Sequence, residues 1–235
     1  MTDTHLLIDH IYTTGYFTNH GPVASELESA LESFFDIENA IIISNESLAT
    51  VIALSGMTKG GTVAVSKDTP MHIVNGINWV GLKPTFFDSE FNLFAFFSDY
   101  NDPVIDKQEF DIVIFDPVTE RKLTLSTYQS FQSSGMATIT YYNGLPHKSD
   151  FLKSSIARTR ICLIGENADT PSSSCAVILT AENELARIYR NIRSSYGARE
   201  TVPVMATANG RVSEYQAGVA LKFFQNAYQT AGLIG

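Results

Sequence analysis

Cysteine is scarce: Cys162 and Cys175 are the only two in 235 residues. Two thiols cannot staple a chain this long, and they match no metal-binding spacing. They read as buried thiols in a reducing compartment, so a cytoplasmic location is expected. Basic residues are also few, 16 Lys and Arg against 25 Asp and Glu, for a net charge of −9. That acidic balance argues against nucleic acid or an anionic membrane as partner. The five histidines (His5, His10, His20, His72 and His147) show no paired spacing with an acid between, so no metal site is expected. No apolar run reaches membrane-spanning length, and no basic-then-apolar leader opens the chain, so neither a span nor a signal segment is expected. Charged residues make up only 17% against 44% hydrophobic ones, a globular composition rather than a disordered one. The length suits one large domain, or one with a small appendage, able to bury its core without disulfides or metals.

What is present is organised around Ala40–Leu54, AIIISNESLATVIAL. Ala40–Ile43 is a short apolar run of the kind that forms a buried strand. Ser44-Asn45 is a turn pair that can cap a helix, and Leu48, Val51, Ile52 and Leu54 follow at helical spacing. A strand, a tight polar turn and a helix N-terminus make an anion site, because unpaired amides and the helix dipole face the turn. Here the turn carries Glu46, itself an anion.

The rest of the chain repeats the strand and helix theme. Gly21-Pro22 starts a helix with Val23, Leu27, Ala30, Leu31 and Phe34 on one face and Glu26, Glu28 and Glu32 mostly off it. Strands are expected at Thr62–Ser66, Pro84–Phe87, Asp111–Phe115, Ala137–Tyr142, Arg160–Ile164 and Cys175–Leu179. Helices are expected at His72–Trp79, at Ser126–Ser133, from Thr180 to about Ser195, and at Arg211–Tyr228. Residues 1–20 show no strong period, and Phe91–Phe97 could be strand or loop. The alternation implies an α/β fold: a mainly parallel sheet flanked by helices. Asp99, Asp102 and Asp106 lack the glycine and terminal Glu of a calcium loop and read as a solvated acidic turn.

Four stretches resemble the DegT-type sugar aminotransferases, enzymes that use pyridoxal phosphate to aminate keto-sugars on nucleotides. Tyr16–Leu54 is similar to the family's opening, with its Thr-Asn-Gly-Pro-like start, Glu-rich helix and Ser-Asn-Gly-Thr turn. VGLKPTFFD (Val80–Asp88) resembles its Val-Gly-Ala-Lys-Pro-Val-Phe-Val-Asp strand. Ala176–Arg193 resembles the strand and helix after its Schiff-base lysine, and Ala208–Leu221 its Asn-Tyr-Arg-Met-Ser-Glu-Leu-Gln-Ala stretch. The order is the same; residues 89–160 match poorly. The resemblance implies the large domain of a type I aminotransferase fold over residues 1–235, with no separate C-terminal domain.

Transferred residue by residue, the resemblance implies an altered cofactor pocket. The phosphate turn becomes Ser44-Asn45-Glu46-Ser47, and the ring-stacking aromatic becomes Pro70. The Asp that pairs with the ring nitrogen falls near Tyr141, and the Schiff-base lysine aligns with Asn167, whose amide cannot bond covalently to the aldehyde. Asn209 matches the asparagine that reaches a neighbouring subunit's cofactor phosphate. Lys148 and Lys153 read as solvated lysines rather than replacements, and Ser172–Ser174 as a plain turn. The expectation is a protein without transaminase activity and without a cofactor, with pyridoxal phosphate as the alternative. Asn45, Glu46, Ser47, Tyr141, Asn167 and Asn209 would line a pocket for an anion or sugar nucleotide. The expected assembly is a homodimer, or a heterodimer with an active relative. The alternative function is an active aminotransferase, or another enzyme reusing the same cleft.

Overall fold

The computed structural model describes residues 4–18, 20–57, 61–87, 110–117, 135–153, 157–165, 175–194 and 208–230. The helix expected at 126–133, the Phe-rich stretch 91–97, Asp99, Asp102, Asp106, Asn167 and Ser172–Ser174 lie outside them.

Seven strands form one sheet: β1 (Asn39–Ile43), β2 (Thr62–Ser66), β3 (Lys83–Phe87), β4 (Ile112–Phe115), β5 (Ala137–Tyr142), β6 (Thr159–Ile164) and β7 (Cys175–Thr180). Their spatial order is β1-β7-β6-β5-β4-β2-β3. Strand β7 runs antiparallel to both its neighbours, and the other described pairings are parallel. The short apolar runs fit this arrangement, since strands buried on both faces need no polar alternation. All five residues of β1 and all six of β5 and β7 are buried.

Helices cover both faces: α1 (Thr4–Thr14), α2 (Pro22–Phe35), α3 (Glu46–Met57), α4 (Met71–Trp79), α5 (Lys148–Lys153), α6 (Asn183–Arg193) and α7 (Glu214–Thr230). One core joins α3, α4 and α6 to the face of Ile41, Ile43, Ile139, Tyr141 and Ile178. The other joins α2 and α7 to Ala40, Ile42, Tyr142, Cys162 and Val177. Period-two alternation thus splits neighbouring strand residues between two cores.

Two sequence expectations change here. Residues 4–14 form a helix although no period was evident. Glu28 was placed off the apolar face of α2, yet it is buried. Its Oε1 accepts the amide of Ile42, while Glu32 accepts that of Ala40. Strand β1 is an edge of the sheet, and the two glutamates satisfy the amides that an edge leaves open.

Candidate functional site

Strand β1 delivers the chain to the Ser44–Ser47 turn, and α7 with its preceding loop holds that turn from behind. The Ser44 amide donates to the Gly210 carbonyl at 2.9 Å, and Gln216 Nε2 donates to the Ser44 carbonyl at 2.8 Å. A Cβ on Gly210 would fall 2.9 Å from Ile52 Cδ1 and 3.2 Å from Ile43 Cγ2, so a glycine lets the loop backbone come this near. Asn45 Oδ1 accepts the Leu48 amide at 2.9 Å, and its carbonyl accepts that of Ala49 at 3.0 Å. That is an N-cap, as the turn pair implied. The amides of Glu46 and Ser47, in the first turn of α3, have no carbonyl one turn back to bond. They form the positive end of the helix at the mouth of the turn.

Glu46 folds across this mouth. Tyr141, on β5, donates its hydroxyl to Glu46 Oε2 at 3.3 Å. His72, in the first turn of α4, places Nδ1 3.5 Å from Glu46 Oε1. The imidazole also stands edge-on to the Tyr141 ring, with centroids 5.5 Å apart. Helix α4 comes this close because Gly76 faces α3: a Cβ there would meet Thr50 Cγ2 at 2.9 Å. Burial, then the Glu46 carboxylate, pushes the Tyr141 phenol above the ordinary tyrosine value, so it stays a donor. Glu46 and His72 keep 27% and 26% of their side chains exposed, so solvent reaches the cluster. Nε2 of His72 is buried and has no partner among the described residues.

The structure therefore joins Glu46 to Tyr141, two positions 95 residues apart. Asn45 and Ser47 share the turn, Asn45 as cap and Ser47 as an exposed side chain. Asn209 is exposed one residue before Gly210, and its Oδ1 accepts from Arg211 Nε at 3.0 Å. Where the resemblance puts Tyr141 in place of the family's Asp, Glu46 brings a carboxylate from α3. Lys148 Nζ sits 5.6 Å over the Phe34 ring, and Phe34 belongs to the core on the opposite sheet face from Tyr141. It is neither a plain solvated lysine nor part of this cluster. Pro70 precedes α4 as its cap residue. His72 was weighed in the sequence only as a metal ligand. Its place two residues after Pro70, at a helix start facing the same cleft, was the available signal. Among the described residues no group of His, Cys, Asp or Glu could hold a metal ion, and no helix is long and apolar enough to cross a membrane.

Comparison with known proteins connects this geometry to a family. The model of the DegT/DnrJ/EryC1/StrS aminotransferase family matches residues 3–107. The dTDP-4-amino-4,6-dideoxy-D-glucose transaminase of Escherichia coli is 29% identical over 83 residues, 35% of this chain and 22% of that protein. Among solved structures, a Bacillus cereus protein assigned as a PLP-dependent aminotransferase superposes with TM-score 0.75 at 17% identity, over 95% of this chain and 63% of that one. DesI, solved in the presence of its TDP-sugar product, gives 0.74 at 14% identity, over 97% and 58%. The Bacillus subtilis protein NtdA, solved with its cofactor PMP, gives 0.70 at 16% identity, over 97% and 56%. This chain thus spans less than two thirds of each of these relatives. The expectation of no cofactor is overturned: the matched family and the fold neighbours are pyridoxal-phosphate-dependent aminotransferases, one of them with the aminated cofactor bound. Residues 3–107 are thus similar in sequence to the DegT/DnrJ/EryC1/StrS aminotransferase family, and the described residues share the fold of these solved structures.

Proposed function

We propose that this chain uses the sugar-aminotransferase fold to bind a phosphate-bearing, sugar-nucleotide-like ligand at the α3 turn and does not itself transaminate. The observation that carries this reading is the Glu46–Tyr141–His72 cluster across the turn. In the family, by resemblance, that turn carries glycine, and an Asp stands at the place of Tyr141. Asn167 supports the same reading from sequence, because an amide offers no nucleophilic amine.

The family's cofactor still has groups here that suit it. The first-turn amides of α3 and the hydroxyl of Ser47 would hold a phosphate, and Glu46 with Tyr141 would meet a protonated nitrogen. When bound, pyridoxal phosphate supplies an electron sink for amine transfer. The chain's own residues position and neutralise: Asn45 fixes the start of α3, Tyr141 and His72 hold the Glu46 carboxylate, and Gly210 and Gln216 keep the turn in place. A second reading, an enzyme that works with the cofactor or reuses the cleft, is favoured by the carboxylate that Glu46 returns to the neighbourhood of Tyr141.

Incubation with excess pyridoxal phosphate, borohydride reduction and peptide mass spectrometry separate the two. The binding reading expects no stoichiometric pyridoxyl-lysine. A stoichiometric adduct on one lysine, Lys148 or Lys153 for instance, would overturn it in favour of the enzyme.

A further inference from the structure

The α3 turn sets unlike charges side by side. The amides of Glu46 and Ser47 are a positive helix end, and the Glu46 carboxylate of the same first turn is negative. At an effective dielectric near 20, a phosphate about 4 Å from that carboxylate is repelled by roughly 4 kcal/mol. The helix end returns about 0.3–1 kcal/mol, or up to ~2 when partly buried. An anion alone therefore gains little here.

A cation changes the balance. The Glu46 carboxylate has about four acceptor positions. Tyr141 takes one on Oε2, and His72 stands near Oε1. Solvent reaches 27% of the Glu46 side chain. Neither described neighbour of the carboxylate is a Lys or Arg: its contacts are a phenol and an imidazole. A ligand ammonium would give this carboxylate a full opposite charge and, at the same time, screen the ligand's own phosphate from it.

We infer that Glu46 is a charge-selecting residue, and that this pocket favours ligands carrying a protonated amine together with a phosphate over phosphate esters without the amine. The inference rests on the α3 turn being the ligand pocket. It adds a sign rule that the fold and the family assignment do not contain.

A matched pair of probes isolates the amine. Pyridoxamine 5′-phosphate and pyridoxine 5′-phosphate share ring and phosphate and differ by an ammonium against a hydroxyl. Neither carries an aldehyde, so neither can bond covalently to a lysine. Their dissociation constants, from isothermal titration with the full chain at neutral pH, give the preference directly. The amine is expected to bind about tenfold more tightly or better, the scale of one hydrogen bond between charged groups. Glu46→Gln keeps the side chain's shape and removes its charge, and it is expected to bring the two constants within about threefold. Glu26→Gln makes the same change at an exposed position on α2, which packs on the opposite face of the sheet from Tyr141, and should retain the preference. This second variant guards against a preference that follows the net charge of the chain rather than Glu46. Equal affinity in the unaltered chain, no binding of either probe, or a preference that survives Glu46→Gln would each overturn the inference. A pyridoxyl-lysine adduct in the borohydride experiment would defeat the non-transaminating reading instead, and leaves the sign rule to be judged by these titrations.

Discussion

Glu28 shows how one buried carboxylate can tie a local structure to pH. Its Oε1 accepts from Arg193 Nη1 at 2.7 Å and from the Ile42 amide at 2.9 Å, and its Oε2 lies 3.0 Å from His20 Nε2. Burial pushes its pKa up, but the His20 bond, the Arg193 and His20 charges and the Ile42 amide outweigh it and hold the value below normal. A carboxylate with a depressed folded pKa stabilises the protein above its unfolded value, near 4.3, and loses that contribution as pH falls through the folded value. Urea midpoints measured against pH should therefore fall below about pH 5 for the unaltered chain and flatten in Glu28→Gln. At neutral pH, Glu28→Ala should cost about 3–5 kcal/mol, because it leaves Arg193 buried without its partner. A Glu28→Gln profile that keeps the acid slope would show that other carboxylates produce it. Sequence periodicity set Glu28 mostly off the apolar face of α2; nothing in that spacing reveals that a strand edge needs an acceptor there.

Helix α2 is also capped from a distance. Glu214, at the start of α7, accepts the amides of Gly21 at 3.0 Å, Val23 at 2.7 Å and Ala24 at 3.2 Å, and only 1% of the residue is exposed. Pro22 in the first turn signals the helix start, but Gly21 offers no side chain to cap it. The missing cap comes from nearly two hundred residues away. Glu214→Ala should lower stability by about 2–4 kcal/mol, since three helix-start amides lose their acceptor in a buried place. Glu214→Gln retains one acceptor oxygen and should cost less; chemical denaturation of both variants gives the order. Helix α1 was hidden in the sequence for a different reason. Ile11 is buried and Leu7 packs against Gly218, but Leu6, Ile8 and Tyr12 are apolar and exposed. Apolar residues on both sides of a helix blur the period that would announce it.

For the molecule as a whole, the sheet was legible because β1, β4 and β7 carry continuous apolar runs, while β5 alternates Thr138 and Thr140 with apolar and aromatic residues. The site was legible only in part. The Ser44–Ser47 turn and Tyr141 were found by register, yet their contact depends on how α3 and β5 meet at one end of the sheet. No local spacing encodes that, and His72 joined the cluster only through the packing of α4 on α3. The remaining expectation concerns assembly. The resemblance implies a two-fold dimer in which Asn209 reaches a neighbouring pocket. Asn209 is exposed and sits one residue from Gly210, whose carbonyl holds Ser44. Such an interface uses the same patch on both subunits, so one exposed residue beside one pocket becomes two contacts in a dimer. Light scattering on the chromatographed protein at micromolar concentration should give twice the 25.8 kDa of one chain. In a dimer built this way, Asn209→Ala should weaken phosphate-ester binding while leaving the fold's stability within about 0.5 kcal/mol, as expected of an exposed position. A monomer that recovers no relative as a partner would remove both the homodimer and the heterodimer.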